Sequence, residues 1–189
     1  MIWSLSLIAP GKLYTAVLDT CVLAPMPLCD TLLRFAEEPA FYIPKWSADI
    51  LRELRSTLLR MGYSPSQADR RIAAMESAFL QARVEGYGRL VSRMTNHPKD
   101  RHVLAAAVRC RADAVITHNV RDFRPQAARP YGVDIVTPDD FLLRQFRLNA
   151  LLVRRKLAGQ AAATNLPFET LLDKLQRPVP AFVTSLRQP

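Results

Sequence analysis

Asp19, Asp100, Asn119 and Asp122 are the residues whose types and positions in this sequence could do chemistry. Asp19 ends the apolar run Tyr14-Thr15-Ala16-Val17-Leu18, and Asn119 and Asp122 follow a second run, Asp113-Ala114-Val115-Ile116. Apolar runs without alternation read as strands buried on both faces, as in parallel sheets covered by helices. Ligands of open parallel sheets bind just beyond the carboxyl ends of the strands, so Asp19 and the Asn119/Asp122 pair should meet at one edge. Clustered carboxylates there suit a hard divalent cation such as Mg²⁺. The expected chemistry is metal-assisted and its substrate anionic.

Each acid also has a plainer reading. Asp100 falls in the middle of the apolar stripe Val103, Leu104, Ala107 and Val108, where a carboxylate is costly unless hydrogen-bonded or metal-bound. A first-turn acid favoured by the helix dipole fits that position equally well. Glu53 borders the stripe Ile50, Leu51, Leu54 and Leu58, and by itself reads as a solvated acid beside Arg52 and Lys45. Asp19 could be a turn or cap aspartate, and Asp122 a loop acid paired with Arg121 or Arg124. Asp49, Asp139 and Asp140 read as first-turn acids rather than ligands. No single residue decides.

The elements that must position these acids follow from periodicity and punctuation. A helix is expected over Cys29–Glu38 and a short strand over 41–44. Ser47 should cap a helix that runs to Arg60 and stops at Gly62. Ser64-Pro65-Ser66-Gln67 is a capping box opening a helix to about Val84. Another helix begins near Pro98-Lys99-Asp100, a strand covers 133–136, and Thr137-Pro138 opens the next helix. Alternating strands and helices predict an α/β fold, a three-layer α/β/α sandwich on a mainly parallel sheet. The expected organisation is a nuclease-like domain over 1–148 and a basic helical extension over 149–189, whose last clear helix is Phe168–Leu175.

Composition sets the class of partner. With 49% hydrophobic and 23% charged residues the chain can bury a sizeable core. Its net charge of +9 favours a polyanionic partner, and residues 141–189 alone carry +6 of it. The cysteines, Cys21, Cys29 and Cys110, show no zinc or CxxC spacing and read as reduced, buried thiols of a cytoplasmic protein. Met1–Leu13 lacks a basic n-region and a cleavage site, so no signal peptide is expected, and no run is long enough to span a membrane.

Taken together, four segments resemble a known family. Val17-Leu18-Asp19-Thr20, Ile50-Leu51-Arg52-Glu53-Leu54, His97-Pro98-Lys99-Asp100-Arg101-His102-Val103-Leu104-Ala105-Ala106 and Thr117-His118-Asn119-Val120-Arg121-Asp122-Phe123 resemble the PIN domain, closest to the VapC-type toxins of bacterial toxin–antitoxin pairs. The resemblance implies an acidic quartet of Asp19, Glu53, Asp100 and Asp122, supported by Thr20, Thr117 and Asn119. It implies a Mg²⁺- or Mn²⁺-dependent endoribonuclease, with Asp19, Asp100 and Asp122 as metal ligands. RNA, a cognate antitoxin and a second copy of the chain are the implied partners. His97 departs from the pattern, since many members carry another acid there.

Such a cluster, without a Ser/His/Asp or Cys/His pattern, suits phosphodiester hydrolysis. Arg52, Lys99, Arg101, Arg121 and Arg124 stand beside site acids and could hold RNA phosphates, or simply balance charge locally. Arg144, Arg147, Arg154, Arg155 and Lys156 of the basic tail are expected to bind RNA or antitoxin rather than hold the core. A dehalogenase-like phosphatase needs a second aspartate two residues after the first, where Cys21 stands. A dinucleotide-binding turn needs glycines that Thr20-Cys21-Val22-Leu23-Ala24 lacks. An RNA-processing nuclease without a toxin role, or a PIN-like scaffold that binds without cutting, remains an alternative.

Overall fold

Five short strands form one parallel sheet in a computed structural model that describes residues 13–188. They are β1 (Tyr14–Leu18), β2 (Tyr42–Ser47), β3 (Arg83–Val84), β4 (Ala114–Ile116) and β5 (Asp134–Val136), in the spatial order β3-β2-β1-β4-β5. β1 and β4 lie side by side in register, Leu18 opposite Ile116. Ala16 to Leu18 and Ala114 to Ile116 are wholly buried, as unalternated apolar runs between two helical layers must be. The reading of residues 1–13 as free of a signal peptide concerns a stretch that, up to residue 12, lies outside the described residues.

The helices are α1 (Thr20–Leu23), α2 (Met26–Ala36), α3 (Ala48–Arg60), α4 (Pro65–Ala78), α5 (Gly88–Val91), α6 (Arg101–Arg109), α7 (Val120–Phe123), α8 (Pro125–Ala128), α9 (Pro138–Leu148), α10 (Ala150–Ala163), α11 (Phe168–Gln176) and α12 (Pro180–Arg187). They flank the sheet in a three-layer α/β/α sandwich, with α6 packed on β1, β2 and β4 and α2 on β2. Ser47 ends β2 and caps α3 through Ile50 N, while Gly62 adopts φ +90° after it. The capping box at Ser64 and Gln67 is fully formed.

Several local expectations differ, and one lies at the end of the chain, where α12 follows the helix over Phe168–Gln176 that the sequence suggests as the last. The second strand runs on to Ser47, because Trp46 N donates to the Ala82 carbonyl and the wholly buried indole anchors it. α4 stops at Ala78, and 83–84 instead pair with β2 as Trp46↔Arg83 and Ser47↔Val84. A two-residue strand carries no periodicity that a sequence pattern could reveal. α2 begins at Met26, not Cys29, since Pro27 sits in its first turn where a missing N–H costs nothing.

α10, α11 and α12 share the core of the sheet domain. Val153, Leu157, Leu172, Leu175 and Phe182 are essentially inaccessible and belong to the same apolar cluster as Phe35 and Phe141. Each such leucine contributes roughly 1.5–3 kcal/mol by leaving water. α12 is capped from a distance: Asp139, in the first turn of α9, accepts from Ala181 N at 3.0 Å and Phe182 N at 2.8 Å. No helix among the described residues is long and apolar enough to cross a membrane.

Candidate active site

The strand order reverses between β1 and β4, which opens a crevice at their carboxyl ends. Asp19 is the first residue beyond β1, and its amide is held by the Ile116 carbonyl at 3.1 Å. Its Oδ1 accepts from Thr20 N at 2.7 Å, capping α1. Its Oδ2 accepts from Thr117 Oγ1 at 2.6 Å and from the Cys21 thiol at 3.2 Å. Thr117, wholly buried as the first residue beyond β4, takes Asn119 N at 2.9 Å on the same hydroxyl. The ends of two strands therefore aim one carboxylate. Burial first, then the charge of Asp19, pushes the Cys21 thiol up to about 12, so it stays a proton donor.

Glu53 arrives from α3. Thr20 Oγ1 donates to Glu53 Oε2 at 3.2 Å, and His102 Nε2 lies 3.1 Å from Glu53 Oε1. The His102 hydrogen bond holds the Glu53 carboxyl below its ordinary range. Burial presses the imidazole down, but the Glu53 hydrogen bond and charge outweigh it and leave His102 above its usual value. Asp100 ends a 3-10 turn, Pro98–Asp100, that leads into α6, and only 6% of it is exposed. Burial raises its carboxyl above the ordinary range, and the charges of Asp19, Asp122 and Glu53 push the same way. That mutual repulsion marks the four acids as one electrostatic group. The half-buried Asp122 on α7 is tied in through its carbonyl, which accepts from His97 N at 2.8 Å.

The donor set consists of hard oxygens. Glu53 is engaged by Thr20 and His102, whereas Asp19, Asp100 and Asp122 face no lysine or arginine partner among the described residues. As placed, no three acidic, histidine or cysteine groups among the described residues stand close enough to hold a metal. An ion would have to draw the carboxylates inward, against the repulsion that already raises Asp100. The chemistry of the donors fits Mg²⁺ or Mn²⁺ rather than a soft metal.

The remaining expected residues divide. Asn119 is exposed and its side chain caps nothing. Arg52 pairs with Asp49, which also accepts from the Tyr87 hydroxyl at 2.7 Å. Lys99 is exposed and near enough for its charge to lower Glu53. Arg101, Arg121 and Arg124 line one groove with Asp122 and His97. Sequence reading missed Cys21, His102 and Asn96. Cys21 stands two residues from Asp19 and carried a signal. His102 meets Glu53 across 49 positions and carried none.

Residues 15–121 match the family described as PIN domain, a span that includes Asp19, Glu53 and Asp100 and stops one residue short of Asp122. The chain is also 42% identical over 106 residues to the Mycobacterium tuberculosis protein named "Putative ribonuclease VapC50". That match covers 54% of this chain and 63% of the relative's length, so the chain spans less than two thirds of the curated relative it matches. No solved structure is significantly similar.

Proposed function

The chain belongs to the PIN domain family, and from that premise we propose that it is a metal-dependent endoribonuclease acting as the toxin of a toxin–antitoxin pair. One observation supports the reading: acids from four separate segments lie near one another where the strand order reverses, and the largely buried Asp100 among them has no lysine or arginine partner among the described residues, only His97 Nδ1 at 3.9 Å. Asp19, Asp100 and Asp122 are the residues that would hold a Mg²⁺ or Mn²⁺ ion. When bound, the ion supplies Lewis-acid polarisation of the phosphate and of the attacking water. Thr117 and Thr20 N orient the Asp19 carboxylate, and Glu53 is held upright between Thr20 and His102 to position the water. The family relationship extends the proposal to a cognate antitoxin, a homodimer and a cytoplasmic setting.

The test is cleavage of a mixed RNA pool by the purified chain with Mn²⁺, with EDTA, and with Asp100→Asn in place of the native residue. Cleavage leaving 5′-phosphate and 3′-hydroxyl ends is expected with metal only. Loss of a metal contribution worth several kcal/mol should slow Asp100→Asn by roughly 1,000-fold or more. Its melting temperature should hold or rise, since a buried, repelled charge is removed. Activity in EDTA, or 2′,3′-cyclic ends, refutes the metal mechanism. RNA binding without any cleavage would instead identify the scaffold alternative.

A further inference from the structure

Two grooves on the surface treat their charges in opposite ways. The one between α3 and α4 is lined by Arg52, Arg55, Asp69, Glu76 and Arg83 over Leu51 and Ile72. Its charges are already matched: Arg55 with Asp69, Arg83 with Glu76, and Arg52 with Asp49. The other, about 230 Å³, adjoins Asp122 and is lined by Asn96, His97, Arg101, Arg121 and Arg124. The guanidinium groups of Arg121 and Arg124 make no ion pair or hydrogen bond among the described residues, and that of Arg101 reaches only the Asn96 backbone carbonyl, at 3.3 Å. Three guanidinium groups without a carboxylate border a site acid.

Asn96 adds a second and different signal. It is 2% exposed, and both its carboxamide atoms, Nδ2 and Oδ1, lack a partner. Buried polar groups are almost always hydrogen-bonded, so an orphaned donor and acceptor on one side chain needs a reason. A phosphate would satisfy only the Nδ2 donor, and a cation only Oδ1. A nucleobase edge presents a donor and an acceptor side by side and satisfies both. Of the two edges read in single-stranded RNA, adenine does so on both, with N6 beside N1 and N6 beside N7, whereas guanine, cytosine and uracil do so on the Watson–Crick edge alone, so adenine is the base a carboxamide can meet in either orientation.

We infer that this groove is a nucleotide subsite beside the scissile phosphate, where Arg101, Arg121 and Arg124 hold a flanking phosphate and Asn96 reads an adenine. The inference rests on the nuclease reading and adds a substrate preference to it. Arg101 is tied to Asn96 by a single hydrogen bond, and a phosphate that takes over the guanidinium loosens that tie. The Arg contacts supply affinity for any sequence, and Asn96 supplies discrimination.

Sequencing the ends produced from a randomised RNA pool with Mn²⁺ tests this. The native chain should enrich adenine at one position next to the cut, on the order of tenfold. Asn96→Asp keeps the size but replaces the donor with an acceptor, and Asn96→Ala removes both groups; either should flatten that enrichment. Asn96→Ala should melt no lower than the native chain, because it deletes two unsatisfied buried atoms. Asn96→Ser replaces it should the alanine variant not fold. Arg121→Gln with Arg124→Gln should raise KM for all sequences while preserving the adenine profile. Absence of any flanking preference, or an adenine profile that survives folded Asn96 variants, overturns the subsite while leaving the nuclease reading intact. A pool left uncut by the native chain overturns both.

Discussion

The groove beside Asp122 and the C-terminal helices are both rich in arginine and lysine, but the helices turn part of that charge inward, while no guanidinium of the groove meets a carboxylate among the described residues. In the helices Lys156 Nζ donates to the carbonyls of Arg34 and Glu37, both at 2.8 Å, and closes the end of α2. Arg154 lies 5.7 Å above the Phe146 ring and reaches the Gln188 carbonyl. Arg187 pairs with Asp173 and Glu169. Two of the five tail cations expected to bind RNA or antitoxin, Arg154 and Lys156, therefore also contact the chain's own residues. Arg144, Arg147 and Arg155 are exposed. Net charge identifies a class of partner, but the absence of an internal partner identifies the surface.

The sharpest way to break this comparison is to show that the tail is dispensable. Leu157 is wholly buried in the shared core, so Leu157→Ala should cost ~2–5 kcal/mol in denaturant unfolding. Leu151, 80% exposed on the same helix, should change stability by less than about 0.5 kcal/mol when truncated. Equal, small effects at both positions would make α10 an ornament on the domain rather than part of it.

A second measurement compares the two basic sets directly. Arg121→Gln with Arg124→Gln should weaken RNA binding and flatten its salt dependence by roughly 0.7 per lost phosphate contact on a single strand. Neutralising Arg55 and Arg83, whose charges are already paired, should leave affinity and slope nearly unchanged. If the α3/α4 pair matters more, the comparison is reversed.

The smallest expected effect concerns pH. His102 stands above its unfolded value near 6.5, so its contribution is complete below that pH and is lost as pH rises through the raised value. Glu53 stands below its unfolded value near 4.5, so its contribution is present above that pH and lost as pH falls through the lowered one. With metal chelated, the pair should therefore contribute most between those limits, and the melting temperature should decline from pH 6.5 toward 8. His102→Gln should remove that decline. An identical slope in the variant would show that the decline has another source.

Much of the frame was legible in the chain. The unalternated runs ending at Leu18 and Ile116 could bury both faces only inside a covered parallel sheet, and the caps Ser47, Ser64 and Thr137 sit at the helix starts where they were read. Those signals are local: a cap or a stripe is decided within four residues, so the sequence displays it. The site was legible in part for the same reason. Asp19 and Asp122 follow strand ends, and Asp100 stands out on an apolar face.

The rest depended on contacts between distant segments. Glu53, on the border of its stripe, looked solvated until His102 and Thr20 were brought against it. Asp139 is the first-turn acid of its own helix that the sequence suggested, and it also caps α12 more than forty residues away, which no local pattern shows. Asn96 gave no sign of being an orphaned carboxamide, because burial without a partner is a property of the whole packing around a residue. Local pattern determined which elements form and which acids end them. Only tertiary structure decided which charges are spent inside the protein and which remain for a ligand, because a charge's partner can lie anywhere along the chain.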